Sequence, residues 1–374
     1  MKRRDAIALT LSGLAGAAGC RKPEPVMEKK PMKPLEGHDL VPVEVDPSLV
    51  IRTITGLRPY RPSGFVVKRE DLGGKVLVHN YGHGGGGVTL SWGSAHLAVK
   101  LALPVAGKRC AVVGSGVIGL STARLLQQHG ADVTIYAASL PPETTSNIAG
   151  AQWWPFSVFE RRTDAFGAQF VEAAKFSYQY FQRLVGEEWG VRWIPNYYLS
   201  DNAPPNGWIS GPGGVLHDLQ VDFRDFGPGE HVFSAGHVRR FHTMMIEPSR
   251  YLPKLMEEFR IAGGKLEVRE FASADEVMAL PEEVIFNCTG LGAGKLFGDT
   301  EIIPAKGQLS LLMPQPEVRY NLIFGDYYMF PRTDGIVLGG TFEKGNWDLV
   351  PNEAAKQRVL AAHQAAFARM KNRG

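Results

Sequence analysis

"KRCAVVGSGVIGLSTARLLQQHGADVTIYA", Lys108 to Ala137, decides the fold and reads as strand, turn, helix, strand. Ala111, Val112 and Val113 run into Gly114, Gly116 and Gly119, a complete G-x-G-x-x-G. Leu120, Ala123, Leu125 and Leu126 then recur on one helical face, and "ADVTIY" is the next strand. Gly114 permits the tight turn, Gly116 lets the backbone approach a pyrophosphate, and Gly119 lets helix and strand pack closely. Val117 and Ile118 open the helix, where unpaired N–H groups and the positive dipole end meet phosphate. These features predict a doubly wound, Rossmann-like α/β domain. The second strand ends in Tyr136-Ala137-Ala138-Ser139, without the acid that normally holds a ribose hydroxyl. That argues against a classical NAD site.

The chain has 374 residues, 44% hydrophobic, with a net charge of +3. That length suits two domains or one large α/β enzyme, and no basic block rivals a nucleic-acid footprint. The start, "MKRRDAIALTLSGLAGAAGC", is basic, then apolar, then small before Cys20, the layout of an export signal. Arg3 and Arg4 match a twin-arginine signal, which serves proteins exported already folded. Ala17, Ala18 and Gly19 resemble a lipoprotein cleavage site, with Ala17 where Leu is preferred, so a lipid anchor at Cys20 is expected. The expected location is the periplasm or the outer side of the membrane, reached by a signal at 1–20. Residues 21–46 are rich in Pro and Lys and read as a disordered, solvated tether. Cys110 and Cys288 lie in strand-like apolar runs and read as inert core thiols.

Other stretches carry the chemistry: "GLRPYRP" (Gly56 to Pro62), "VHNYGHGGGGVTLSWG" (Val78 to Gly93), "TTSNIAGAQWWP" (Thr144 to Pro155), "VIFNCTGLGAG" (Val284 to Gly294) and "YYMFPRTDGIVLGGTFEKGNWD" (Tyr327 to Asp348). Together they resemble the D-amino-acid oxidase family of FAD enzymes, from about Ile51 to the C-terminus. The resemblance implies FAD as cofactor and a second, α+β substrate domain on a large mixed sheet. It also implies hydride transfer from the α-carbon of a D-amino acid to flavin, yielding a 2-oxo acid, ammonia and, with oxygen as acceptor, hydrogen peroxide.

The order differs from the family's. There the nucleotide strand opens the chain and "HNYGHGG" comes near its end; here the reverse holds. The chain resembles a circular permutant, in which "PVAGK" joins a former C-terminal helix to a former first strand. Ends that lie close at a surface tolerate such rejoining. The expected division is a permuted segment at 47–103, FAD domain at 108–160 and 265–300, and substrate domain at 161–264 and 301–374.

The resemblance assigns roles. Arg58 would hold the substrate carboxylate with two parallel bonds, with Tyr328 meeting the same group and the Gly85 carbonyl accepting from the amine; Arg61 reads as structural. His79, Gly84, Gly85 and Gly87 would line the flavin ring, with backbone N–H groups stabilising its reduced anion, and Thr89 its pyrimidine edge. Thr144, Thr145 and Ser146 offer hydroxyls to the phosphates, with Ala149, Gly150 and Trp153 along the ring. The turn at Cys288-Thr289-Gly290 would return to the cofactor, and Gln308 reads as a structural bridge. Phe324 stands where the family has a second tyrosine, which Tyr327 replaces only if it turns inward; the loop before it is shorter than the family's lid. No Cys or carboxylate accompanies the two histidines at ligand spacing, so no metal is expected. Expected partners are a small D-amino acid and either oxygen or a membrane electron acceptor; the oligomeric state is open. Two rivals stay open: an amine or imino-acid dehydrogenase with a non-oxygen acceptor, and a non-catalytic lipoprotein that keeps the fold.

Overall fold

The computed structural model describes residues 40–150 and 152–370. The export signal, Cys20 and tether residues 21–39 lie outside them. In chain order the described residues form β1 (Val50–Tyr60), β2 (Val66–Leu72), β3 (Lys75–Tyr81), α1 (Gly87–Ala102), β4 (Arg109–Val113), α2 (Val117–Gln128) and β5 (Asp132–Ala137). Next come α3 (Asp164–Arg183), β6 (Val191–Ser200), β7 (Val221–Phe226), β8 (His237–Ile246), α4 (Pro248–Ile261), β9 (Lys265–Val268), α5 (Ala274–Met278), β10 (Val284–Asn287) and α6 (Gly292–Phe297). The chain continues through β11 (Ile303–Leu312), β12 (Asn321–Phe324), β13 (Tyr327–Arg332), β14 (Gly335–Gly339), β15 (Glu343–Lys344) and α7 (Glu353–Ala368).

The strands build two sheets. The smaller has the order β2-β3-β10-β4-β5-β9. It is parallel except for the β2–β3 hairpin. β4 is buried between β10 and β5, as its unbroken apolar run requires. The larger sheet has the order β1-β11-β14-β13-β12-β6-β8-β7, with β15 paired to β11. It is antiparallel except at β12–β6, and so mixed as expected.

Helices α1, α2, α3 and α4 share one apolar core with the smaller sheet. Gly93 permits the closest crossing: a Cβ there would lie 1.8 Å from the Ala173 carbonyl oxygen. Its N–H donates to Ser177 Oγ at 2.8 Å, so the approach of α1 to α3 is hydrogen-bonded as well as packed. α3 and α4 fall in the stretch assigned to the substrate domain, yet they cover α1 and α2.

Two expectations at the periphery meet structure directly. The tether is not solvated to residue 46: Val43 is 3% exposed, in a cluster with Leu338, Leu360 and the flanking Leu40 and Val45. Tyr320 Oη donates to the Val41 carbonyl at 2.8 Å, and Gln315 exchanges two bonds with the Glu44 backbone. Apolar contact and backbone bonding together hold this segment down. Cys110 and Cys288 are free and buried, and burial pushes both thiols up to about 12, so they stay protonated and inert at neutral pH.

Candidate active site

A cavity of about 980 Å³ is lined by both sheets. Its nucleotide end is the glycine turn after β4. Gly114 has φ +113°, and a Cβ there would meet the Cys288 carbonyl oxygen at 2.4 Å. A Cβ on Gly119 would lie 1.9 Å from the Gly114 carbonyl, which is the helix–strand contact expected of the third glycine. Gly119 accordingly does not line the cavity, whereas Gly114, Gly116, Val117 and Ile118 do. At Gly116 the nearest atom to a Cβ is Ser146 Oγ, at 3.2 Å. Ser146 Oγ also accepts from the Val117 N–H at 3.0 Å. An oxygen thus already sits at the α2 N-terminus, where a phosphate oxygen would be stabilised.

Thr144, Thr145, Ser146, Ala149 and Gly150 all line the cavity. After β5, where the acid is missing, Ser115 Oγ donates to the Ser139 carbonyl and fixes that strand end. Among the charged side chains at the cavity wall are Glu143, Arg269 and Lys295. The Arg269 N–H donates to Ala137 O, which brings β9 to the same corner. None of these three follows the G-x-G-x-x-G at the usual spacing, so the motif alone could not reveal them.

The "HNYGHGG" turn enters from the other side. Gly84 (φ +55°) and Gly85 press against the next loop, where a Cβ would meet the Ser157 and Phe156 carbonyl oxygens at 2.3 and 2.8 Å. Gly84, Gly85, Gly87 and Thr89 line the cavity as expected. The Gly85 N–H is taken by the Ser157 carbonyl at 3.1 Å, so that N–H does not serve the flavin. Thr89 Oγ1 lies 3.4 and 3.3 Å from the carbonyls of Gln152 and Trp154 and pins their loop.

His79 is placed otherwise than expected. It does not line the cavity. Its Nδ1 meets Asn287 Nδ2 at 2.9 Å and its Nε2 lies 3.7 Å from Glu70. His83 lines the cavity instead, stacked on Phe65 with centroids 4.7 Å apart. Burial drops the His83 pKa to about 3, so the ring is neutral at physiological pH. Trp153 is likewise fully buried away from the cavity, which is lined by its neighbours Gln152 and Trp154. Among the described residues no group of three or more His, Cys, Asp or Glu could hold a metal ion.

The far end rests on the larger sheet. The two arginines of "GLRPYRP" have opposite fates. Arg61 pairs with Asp299 at 2.7 Å and Glu301 at 2.9 Å and is structural. Arg58 lines the cavity with no carboxylate partner among the described residues; its nearest acceptor is the Thr341 carbonyl at 3.4 Å. The guanidinium lies over the strand position of Gly307, where a Cβ would come within 2.2 Å of Nη1. Tyr328 occupies a similar slot above Gly339, where a Cβ would lie 2.0 Å from its ring. Arg58 and Tyr328 therefore share one face of the sheet, each let down by a glycine. Tyr327 also borders the cavity, its ring stacked on Phe324 at 5.4 Å. Gln308 bonds the Asn352 backbone through both ends of its amide, at 2.9 and 2.6 Å, and is structural as expected.

The pattern of one family, DAO, described as FAD dependent oxidoreductase, matches residues 36–101 and 109–372. The chain belongs to the DAO family of FAD-dependent oxidoreductases. It is an oxidoreductase acting on amino-acid CH–NH2 donors, with FAD as cofactor. It is 30% identical over 272 residues to a D-amino-acid oxidase of Rubrobacter xylanophilus, covering 70% of this chain and 78% of that relative. It is 27% identical over 260 residues to a D-aspartate oxidase of Homo sapiens, covering 68% and 74%. Among solved structures, iminodiacetate oxidase from Chelativorans sp. BNC1 superposes with a TM-score of 0.53 at 17% identity, covering 70% of this chain and 79% of that one. L-proline dehydrogenase from P. horikoshii gives 0.52 at 14%, covering 70% and 77%. These two likenesses establish the fold. The residues present fit FAD: Gly114 gives the tight turn, Gly116 leaves a side open with only Ser146 Oγ near it, and the α2 N-terminus faces that space.

Proposed function

We propose that this chain oxidatively deaminates D-amino acids to 2-oxo acids and ammonia. The observation that carries this is Arg58, a cavity cation without a carboxylate partner among the described residues, on the same sheet face as Tyr328. A guanidinium left unpaired in a half-buried cleft is matched to a planar anion that arrives with the substrate. The similarity to D-amino-acid and D-aspartate oxidases supports the same substrate class.

When bound, FAD supplies the two-electron acceptor for the α-hydrogen. The chain's task is to orient. Arg58 and Tyr328 would hold the carboxylate from the sheet side. The Gly85 carbonyl would accept from the amine on the other side of the cavity. Those contacts would hold the carboxylate and the amine, so that the enantiomer whose α-hydrogen then faces the flavin is the one oxidised. Neutral His83 would line the flavin end without adding charge. The lining is otherwise largely apolar, which limits water beside the reacting carbon.

The electron acceptor we assign is oxygen. A membrane acceptor is the alternative, motivated by Phe324 in place of the family's second tyrosine. The match in two pieces, 36–101 and 109–372, and a nucleotide strand, β4, that follows rather than precedes the flavin loop support a circularly permuted order. We also propose that 1–20 is a twin-arginine export signal with a lipid anchor at Cys20, checked by fractionation of Arg4→Lys and Cys20→Ala variants. The activity is tested by assaying ammonia, 2-oxo acid and peroxide in air with D-amino acids, beside Arg58→Met. Equimolar peroxide, and at least about a tenfold higher substrate requirement in the variant with FAD retained, are expected. Oxo acid without peroxide would assign another acceptor. Unchanged kinetics in Arg58→Met would remove Arg58 from the site.

A further inference from the structure

Residues 144–150 run from one sheet to the other. At the nucleotide end, Ser146 Oγ accepts from the Val117 N–H at 3.0 Å, at the start of α2. Two residues later the loop reaches the larger sheet. A Cβ on Gly56 of β1 would meet Ile148 Cγ2 at 3.1 Å. A Cβ on Gly150 would meet the Phe330 ring at 3.0 Å and the Tyr328 ring at 3.3 Å. Between those two contacts, the Ala149 carbonyl accepts from Arg332 Nη1 at 3.0 Å. Among the described residues, no other side chain of the larger sheet bonds to this loop. Ala149 and Gly150 both line the cavity.

Arg332 follows Tyr328 and Phe330 at alternate positions of β13, so the three share the cavity face. Its side chain is 1% exposed. Nε and Nη2 donate to the two oxygens of Asp334, the first at 2.7 Å, which leaves Nη1 for Ala149. Arg52 of β1 also meets Asp334, at 3.2 Å. Burial alone would raise the Asp334 carboxyl; the bonds from Arg332 and the charge of Arg52 hold it below its ordinary value, so it stays ionised at neutral pH. A buried ion pair adds little to stability, because desolvation offsets the attraction. A pair confined to Arg332 and Asp334 would not need the interior, whereas the bond to Ala149 does. One charged group thus joins three parts of the site: β1, which carries Arg58; β13, which carries Tyr328; and the loop assigned to the flavin.

Building on the D-amino-acid reading, we propose that Arg332 is a positioning residue: by holding the Ala149 carbonyl, it fixes the flavin loop against the strand of Tyr328 and so sets how closely the substrate's α-carbon approaches the flavin. Its guanidinium is occupied by Asp334 and Ala149 and acts through the loop. Transfer of the α-hydrogen depends on that approach, and a displacement of about 1 Å remote from the chemistry can cost on the order of a hundredfold in rate. The carboxylate clamp does not depend on it, since Arg58 and Tyr328 are seated over their own glycines, Gly307 and Gly339. Loss of Arg332 therefore slows the reaction at saturation without weakening substrate binding.

The test uses the FAD-loaded full chain and its variants Arg332→Met, Arg332→Lys and Asp334→Ala. On mixing with D-amino acids without oxygen, Arg332→Met should reduce its flavin at least about tenfold more slowly at saturating substrate. The substrate Kd from the same titration should stay within about threefold of the unaltered protein's. Arg332→Lys keeps a cation that can donate to the Ala149 carbonyl and should recover most of the rate. Asp334→Ala frees the guanidinium to swing and should show the same split with a smaller loss; it carries the test if Arg332→Met does not fold. The visible circular dichroism of bound flavin reads the ring's surroundings without substrate. It should change in Arg332→Met and return in Arg332→Lys. An unchanged saturating rate, unchanged dichroism, a loss confined to Kd, or a loss that Arg332→Lys does not recover would each overturn the inference. If no D-amino acid reduces the unaltered protein, the substrate reading fails on its own, and the dichroism decides whether Arg332 sets the loop.

Discussion

Gly307→Ala probes the carboxylate clamp without touching either charged partner. A Cβ at Gly307 would lie 2.2 Å from Arg58 Nη1 and 2.6 Å from Cζ, whereas ordinary contact begins at 3.4 Å. The guanidinium must then shift by about 1.2 Å. Gly307 is not among the glycines with positive φ, so the alanine itself is unstrained. The displaced atoms are the end of a flexible side chain, so the fold should lose no more than about 0.5 kcal/mol. The bidentate contact is less forgiving. Losing one charge-assisted hydrogen bond costs about 1.5 to 3 kcal/mol, roughly 10- to 150-fold in kcat/KM. The assay is steady-state kinetics with D-amino acids beside a melting curve. Most of the loss should fall on KM, because the carboxylate contact exists before reaction. In an Arg58→Met background the same alanine should cost almost nothing, since there is no guanidinium to displace. Normal kinetics in Gly307→Ala, with FAD bound and Tm unchanged, would refute the placement of Arg58.

Three other perturbations read different parts of the molecule. Gly116→Val should abolish FAD binding, because the open side of Gly116 faces only Ser146 Oγ and would be filled by branched carbon; a variant purified with full flavin would refute the phosphate-loop assignment. His83 is neutral when folded, with a pKa near 3, so the unfolded chain binds the extra proton below pH 6.5. Stability should therefore be complete above about pH 6.5 and fall by about 1.4 kcal/mol per pH unit below it toward pH 3. Denaturant midpoints from pH 6.5 to 5 would show this, and a His83→Gln variant with the same slope would contradict it. Val43→Asp should destabilise by about 2 to 4 kcal/mol by burying an unpaired charge, seen as a lowered denaturant midpoint; no change would mean that the 40–45 segment does not dock.

The parts legible in the sequence were those whose chemistry depends on one backbone constraint. Gly114, Gly116 and Gly119 could be given three separate duties from spacing alone; the structure shows the tight turn at Gly114 and the helix–strand contact at Gly119, and leaves the side of Gly116 open. Arg58 and Arg61 could be separated only by analogy, and the structure gives the physical reason, since Asp299 and Glu301 neutralise Arg61 alone. Gly307 and Gly339 were overlooked because a glycine that makes room for a side chain on the adjacent strand leaves no local signature. His79 and Trp153 were placed at the cavity in error of facing: His79 turns to Asn287 and Trp153 to the core, leaving His83 and Trp154 at the wall. A motif fixes which residues are near, but strand pleat and loop direction decide which of two neighbours points inward. The docked segment did carry a signal, the alternation of Val41, Val43 and Val45 after the Pro- and Lys-rich run, outweighed in reading by its composition.

The most direct measurement mixes the FAD-loaded protein with single D- and L-amino acids without oxygen and follows the flavin band near about 450 nm, where oxidised flavin cofactors absorb. Bleaching by D-isomers alone, and strongly slowed bleaching in Arg58→Met, is the expected result. A band that no D-amino acid bleaches, or that L-isomers bleach equally well, would contradict the assignment of this cavity to D-amino-acid oxidation.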